Sequence, residues 1–361
     1  MVSPCFCSSP NTSDQDCDIS DLNTSWVPPY IYTISALGIP LNLLVLLVFL
    51  LHRQKCTATE IYLSNLAAAD LLLVVLMPLW AVNEANNYHW TFGGPMCTFV
   101  SLLLVMNYNC SIYFLVLVSI DRFFALVYPL KQCILRRRKY AMLGCFLVWC
   151  LGLLLNIPIL MCRKVKFQDD LLFDEIKEYI CSVDCYFNIF VSYDVIQTIV
   201  ASVIPLLIIL FCTVKIVHTL TRRLSNRNST QQTEHKATIL VLTVFLAFFI
   251  CWLPFSLTRM TELAVLFELI EETCNFRWHQ LYSYRIIFLN VGFFNSALNP
   301  VLYVIVSKNF RKKMWEVGRG QRSMRPCPTV KFVVILNYLH SQGVQIVMLQ
   351  ETHLVKRDKT V

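Results

Sequence analysis

YIYTISALGIPLNLLVLLVFLL, residues 30–51, runs 22 positions without a charged side chain and is followed at once by His52-Arg53-Gln54-Lys55. About 20 apolar residues in a helix cross the hydrocarbon of a bilayer. Once water is gone, every backbone amide must find its partner inside the segment. The stretch therefore reads as a membrane-spanning helix closed at one end by a basic cluster. Working outward, the same reading recurs at 61–83, 98–127, 141–161, 191–218, 237–266 and 284–306, which makes seven windows. Strands of a membrane barrel would instead alternate apolar and polar side chains over about 10 residues. Composition agrees: 56% of the 361 residues are hydrophobic and 15% are charged, too little polar surface to cover a water-soluble domain of this length. The predicted fold is an all-α membrane protein, a seven-transmembrane helix bundle.

Basic residues sit between windows one and two (Arg53, Lys55), three and four (Lys131, Arg136, Arg137, Arg138, Lys139) and five and six (Lys215, Arg222, Arg223, Arg227, Lys236), and again after window seven (Lys308, Arg311, Lys312, Lys313). The positive-inside rule makes those connections cytoplasmic and the N-terminus extracellular. Residues 1–28 agree, carrying Asp14, Asp16, Asp18 and Asp21 with two glycosylation sequons, at Asn11 and Asn23, which are used only in the secretory lumen. The opening residues are polar, so window one is expected to serve as its own export signal to the plasma membrane. The formal net charge of +8 is then accounted for by basic loops beside anionic lipid, and no nucleic-acid partner is needed.

Of the 16 cysteines, most fall in windows or on the cytoplasmic side, where thiols stay reduced. Cys97, at the outer start of window three, pairs on this reading with Cys181 or Cys185. Cys17 and Cys274 offer a second link. Amides and carboxylates inside lipid-spanning helices are costly and invite a functional reading. Asn42, Asp70, Asn107, Asn295 and Asn299 lie at comparable depth. With Ser111 they form either a site for a sodium ion or proton, or a polar knot that ties helices together. Asp121-Arg122 ends window three, and Glu234 opens window six. Arg122 exchanging between Asp121 and Glu234 would be a bistable latch; the plain alternative is an interfacial ion pair. Pro205, Pro254 and Pro300 each remove a helical hydrogen bond and mark hinges. Trp252 and Phe248 stand one turn apart before Pro254, to transmit a push or simply to pack.

The combination Asn42 in Leu41-Asn42-Leu43-Leu44-Val45, Asn65-Leu66-Ala67-Ala68-Ala69-Asp70, Asp121-Arg122-Phe123, Trp149, Cys251-Trp252-Leu253-Pro254 and Asn295-Ser296-Ala297-Leu298-Asn299-Pro300-Val301-Leu302-Tyr303 resembles the rhodopsin-like G-protein-coupled receptors. Within them, residues 60–70, Trp90-Thr91-Phe92-Gly93, Ser119-Ile120-Asp121-Arg122 and residues 310–317 look like the kinin (bradykinin) receptors, nearer the constitutive than the inducible subtype. Angiotensin and chemokine receptors share the peptide-receptor features but fewer of these strings.

The resemblance implies an extracellular kinin-like peptide as agonist, a heterotrimeric G protein of the Gq type with calcium release, and arrestin as a further partner. It implies a sodium pocket at Asp70, Asn107, Ser111, Asn295 and Asn299, and activation switches at Asp121, Arg122, Glu234, Phe248, Trp252, Pro254 and Tyr303. Ligand contacts are expected at Trp80, Trp252, Glu262 and Arg285. The family's spacing to Pro205 favours Cys181 as the partner of Cys97. Residues 308–318 match a short amphipathic helix on the inner membrane surface, after a receptor domain at 29–307. Three positions depart from the pattern: Phe123 stands where the family usually has Tyr, Thr213 where many members have Tyr, and Tyr282 where kinin receptors present a second acid beside Glu262. Arg285 would then meet a peptide carboxylate, and the loop acids Asp169, Asp170, Asp174, Glu175, Glu178 and Asp184 would attract cations.

A transporter would show inverted repeats or broken half-helices, and an enzyme a clustered metal set or nucleophile with its base; neither pattern is present in the sequence. Residues 319–361 do not continue the receptor pattern. Residues 330–339 and 346–354 read as an amphipathic helix and an apolar strand ending in Gln350-Glu351, which looks like the opening of a LINE-type retrotransposon endonuclease. Every other catalytic element of such a domain is missing, so no nuclease is expected.

Overall fold

A computed structural model describes residues 25–51, 56–128, 138–169, 177–223, 231–267, 274–306 and 308–319; within these, the side chains of 231–241 and 274–280, with a few single positions such as Tyr282, fall outside the description. Asn11, Cys17, Asn23 and the segment from 320 onward lie outside the described residues. Seven helices are long and apolar enough to cross a membrane: Val27–Leu51, Ala58–Ala85, Gly93–Val127, Arg138–Cys162, Phe187–Thr219, Leu242–Leu266 and Ser283–Ile305, here spans one to seven. Large apolar side chains such as Leu43, Leu47, Val75, Phe146, Leu154, Leu207, Leu210, Phe211, Leu246 and Ile250 stand exposed on the bundle, while Asn42, Asp70, Asn107, Asn109, Asn295 and Asn299 are buried in it. Apolar outside and polar within is the arrangement expected when lipid is the solvent. The chain is a multi-pass membrane protein.

Prolines interrupt the backbone hydrogen bonding of several spans, and in two places a side chain from another span meets the carbonyl that the proline leaves over. In a helix the N–H of residue 300 would pair with the Ser296 carbonyl; Pro300 has no N–H, and Asn42 of span one donates its Nδ2 to that oxygen at 2.8 Å. Span five opens into a π turn over Ile199–Val203, where the Ile204 amide donates to the Ile199 carbonyl. In that register Pro205 would have served the Val200 carbonyl, and the Tyr113 hydroxyl of span three donates to it at 2.6 Å.

Span four is interrupted at Asn156, between helices Arg138–Leu155 and Ile157–Cys162. It leads into a hairpin that adds the strands described outside the helical bundle: β1 (Arg163–Asp169) and β2 (Lys177–Val183) are antiparallel, with Val165 opposite Cys181. The alternation Val165, Phe167 and Tyr179, Cys181, Val183 is the period-2 signal of a strand. The Trp90 amide donates to the Tyr179 carbonyl at 2.6 Å, which fixes β2 to the link between spans two and three.

At the other end of the bundle, span two begins with a capping box: the Glu60 amide donates to Thr57 Oγ1, and the Thr57 amide donates to Glu60 Oε2. There the helix Lys308–Gly318 turns off from span seven. Its Phe310 is buried between Phe49 and Tyr303, with ring centroids at 5.7 and 6.3 Å. Arg311 Nη1 donates to the Val304 carbonyl at 2.8 Å and also to that of Ile305, satisfying the end of span seven.

Candidate functional site

At the hairpin end, Cys97 of span three is bonded to Cys181 of β2, with Cα atoms 5.7 Å apart. Cys185, left unassigned by sequence, is bonded to Cys162 at the end of span four, Cα to Cα 5.2 Å. The Asp184 amide donates to the Cys162 carbonyl at 2.7 Å beside it. Cys17 and the Cys274 side chain lie outside the described residues. Trp80 packs against the cluster of Trp90, Cys97 and Val100.

Two ion pairs join the spans just inside the hairpin. Arg285 Nη1 of span seven lies 3.4 Å from Glu262 Oε2 of span six. Arg259 of span six pairs with Asp194 of span five. The Glu262 carboxylate is mostly buried, so the cation that now holds it is Arg285, the residue expected to wait for a carboxylate. The Asp194–Arg259 pair was not anticipated, although ionisable residues within two apolar windows are themselves a signal that partners exist. Arg163 donates its Nε to Ser101 Oγ at 2.9 Å; burial, with the repulsion of Arg285 added, lowers its pKa from the ordinary value. On the hairpin surface Lys166 lies 2.9 Å from Asp184 and holds that carboxyl below its usual range.

Midway through the bundle Trp252 is 2% exposed and meets Tyr108, Phe255, Phe248 and Phe293, with centroids at 4.6, 5.9, 6.3 and 6.4 Å. The Tyr108 hydroxyl is 2.6 Å from Ser202 Oγ and 3.4 Å from Ser256 Oγ, so one phenol joins spans three, five and six. Gly292 makes room for the indole, because a Cβ there would stand 2.6 to 2.9 Å from three of its carbons. Gly292→Ala is therefore expected to push Trp252 out of place and cost about 1 to 3 kcal/mol, the usual penalty of overpacking. Thermal unfolding of the purified protein, read with its tryptophan fluorescence, checks this; an unchanged midpoint and spectrum would mean the indole has slack.

One turn deeper, Asp70 accepts from Asn107 Nδ2 (3.0 Å) and Ser296 Oγ (2.8 Å) at one oxygen and from Asn299 Nδ2 (3.0 Å) at the other. Spans two, three and seven thus meet on one carboxylate. Asn42 serves the Ser296 carbonyl rather than the carboxylate. Ser296 takes a place that sequence reading gave to others; its spacing of three from Asn299 puts both on one helix face. Asn295 Oδ1 and Asn299 Oδ1 are buried without a hydrogen-bond partner, and Ser111 is buried beside them on span three. A carboxylate among neutral oxygens is a donor set suited to a small hard cation. Among the described residues, no group of three or more His, Cys, Asp and Glu could hold a metal ion.

At the basic end, Arg122 reaches Asp121 Oδ2 with Nε at 3.2 Å and Nη2 at 2.6 Å, and its Nη2 also donates to Thr59 Oγ1 of span two. The Thr59 hydroxyl donates in turn to Asp121 Oδ2 at 2.7 Å. Thr59 was not foreseen, since one threonine in a first helical turn carries no sequence signal. Glu234 lies on the helix Gln231–Leu266, but its side chain is outside the described residues. Tyr303 is buried with its hydroxyl unpartnered.

The family described as 7 transmembrane receptor (rhodopsin family) matches residues 41–303. The chain is similar to the B2 bradykinin receptor of Homo sapiens, 38% identical over 297 residues that make up 81% of this chain and 74% of that protein. It is similar to the Oryctolagus cuniculus B2 bradykinin receptor, 39% identical over 310 residues, 82% of each chain. The B1 bradykinin receptor of Macaca mulatta is 34% identical over 300 residues, 82% of this chain and 83% of that protein.

Proposed function

Because the chain belongs to the rhodopsin family of seven-transmembrane receptors, a family of receptors and not of enzymes, we propose that it is a plasma-membrane receptor for a kinin-type peptide. It signals through a heterotrimeric G protein, mainly of the Gq type, to calcium release, and arrestin docks on the same face. The observation that carries this is the 34 to 39% identity to bradykinin receptors over some four-fifths of the chain. The higher identity to B2 than to B1 receptors supports the constitutive subtype. The N-terminus with Asn11 and Asn23 is extracellular, the hairpin caps the outer mouth, and the Arg122 end faces the cytoplasm, as the basic loops require.

The peptide enters beneath the hairpin beside Trp80. Its N-terminal cation takes Glu262 from Arg285, which frees Arg285 for a carboxylate of the peptide. The ligand's push reaches Trp252, then Phe248 and the hinge at Pro254. Asp70, Asn107, Ser111, Asn295 and Asn299 hold a sodium ion that favours the resting arrangement. Asp121, Arg122, Glu234 and Tyr303 carry the change to the cytoplasmic face, where Arg122 must leave Asp121 and Thr59 to meet a partner. Glu262→Ala is expected to weaken a peptide with N-terminal Arg by about 1 to 3 kcal/mol, the loss of one charge-assisted hydrogen bond. Binding of that peptide and of its analogue lacking the arginine to membranes checks it: the analogue should be indifferent, and equal losses for both would place the cationic end elsewhere.

We further assign residues 1–28 to an extracellular segment, 29–307 to the receptor, 308–318 to an inner-surface helix, and 319–361 to a transposon-derived addition without nuclease activity. A chain ending at Gly320 is expected to reach the surface and raise calcium as the full chain does. Normal surface level with no calcium response would make the tail a working part.

A further inference from the structure

The first turn of span two carries two attachments on adjacent residues. Thr59 holds the Asp121–Arg122 pair of span three. Glu60 divides its carboxylate: Oε2 accepts from the Thr57 amide in the capping box at 3.1 Å, and Oε1 accepts from Lys313 Nζ of the inner-surface helix at 2.6 Å. Neither partner of that ion pair is freely solvated, with side-chain exposures of 13% for Lys313 and 18% for Glu60, so water and salt screen it less than a surface pair. The carboxylate also sits at the positive end of the helix dipole, where an anion is favoured and a lone lysine is not. The inner-surface helix is in turn fixed to span seven, through Arg311 on the Val304 carbonyl and through Phe310 against Tyr303. A continuous path thus runs from Tyr303 of span seven through Phe310, Lys313, Glu60 and Thr59 to Arg122, by contacts that do not involve Glu234.

We propose that Glu60 and Lys313 are positioning residues for the Arg122 switch: their ion pair lets the inner-surface helix hold the first turn of span two in the register where Thr59 keeps Arg122 turned toward Asp121. Releasing it loosens Thr59, so Arg122 is freed more often and ligand-independent signalling rises. This rests on the reading of the chain as a signalling receptor, and the test separates the two.

Glu60→Gln keeps the capping box, which accepts Gln as well as Glu, and removes only the charge that meets Lys313; Lys313→Gln removes the other half. At matched surface expression each variant is expected to raise basal G-protein activation about threefold to fivefold, a shift of the size a partly screened ion pair makes in a two-state equilibrium. The double variant should do no more than either single one, since both break one contact. Amide hydrogen exchange on the purified full chain supplies a readout that needs no ligand: Lys313→Gln should speed exchange in the first turn of span two as well as in Lys308–Gly318. Faster exchange in both segments with no peptide response from the wild type would keep the coupling and remove the kinin reading. Unchanged basal activity in both single variants, additive effects in the double, or exchange altered only in Lys308–Gly318 would each overturn the proposal.

Discussion

Cys181→Ser is expected to abolish high-affinity peptide binding and to leave most of the protein inside the cell. The bond from Cys97 to Cys181 is the covalent link between span three and the hairpin, and it closes a loop with a sequence separation of 84. A disulfide of this kind contributes about 2 to 4 kcal/mol by limiting the unfolded chain, and here it also decides where β2 lies over the mouth of the bundle. Without it, β2 keeps its ladder with β1 and the Cys162–Cys185 bond, which tie it only to the neighbouring strand, and the Trp90 amide on the Tyr179 carbonyl with the Tyr179 amide on His89 Nδ1, which tie it to the link between spans two and three. Cys97→Ser should behave like Cys181→Ser, and the double variant no worse than either. Surface labelling with peptide binding checks this, and full affinity in the single variants would show that the ion pairs beneath position the ligand unaided.

Asp70→Ala is expected to remove most of the peptide-evoked response while the protein still reaches the membrane. Asn107, Ser296 and Asn299 all donate to this one carboxylate. Interhelical hydrogen bonds within a bilayer contribute about 0.6 to 2 kcal/mol each, so losing three at once loosens the junction of spans two, three and seven by a few kcal/mol. Agonist affinity in the wild type should fall as sodium replaces a large organic cation at constant ionic strength, because an ion bound to the resting arrangement opposes the agonist through linkage. In Asp70→Ala that dependence should vanish. A sodium effect of undiminished size in the variant would move the ion site elsewhere and reduce Asp70 to a tie between helices.

The spans were legible because lipid imposes one strong rule: residues 30–51 cannot cross hydrocarbon in any form but a helix. Buried amides were legible for the same reason, since each is costly unless used. Their partners were not. Asn42 was grouped with the Asp70 carboxylate, yet it serves the Ser296 carbonyl that Pro300 leaves over. Ser296 and Thr59 were missed because small hydroxyl residues in helices are ordinary, and only the fold reveals that one faces Asp70 and the other Arg122. The hairpin left a weak trace in the alternation of Val165 and Phe167, hidden among lysines. Cys162, one residue past the window 141–161, was grouped with the cysteines of the spans, and the fold brings Cys185 beside it. The Glu262–Arg285 pair shows the limit from the other side: both residues were picked out for the ligand, and distance in sequence concealed that they hold each other.

The claim that this chain is a kinin-type receptor is tested most directly by calcium release from cells expressing it when a panel of kinin peptides is applied alongside angiotensin-type and chemokine ligands. A saturable response to at least one kinin is expected, shifted to higher concentration by Glu262→Ala for a peptide beginning with Arg, with none to the other ligands. Silence to every kinin at normal surface expression, or a response to an angiotensin-type or chemokine ligand instead, would contradict it.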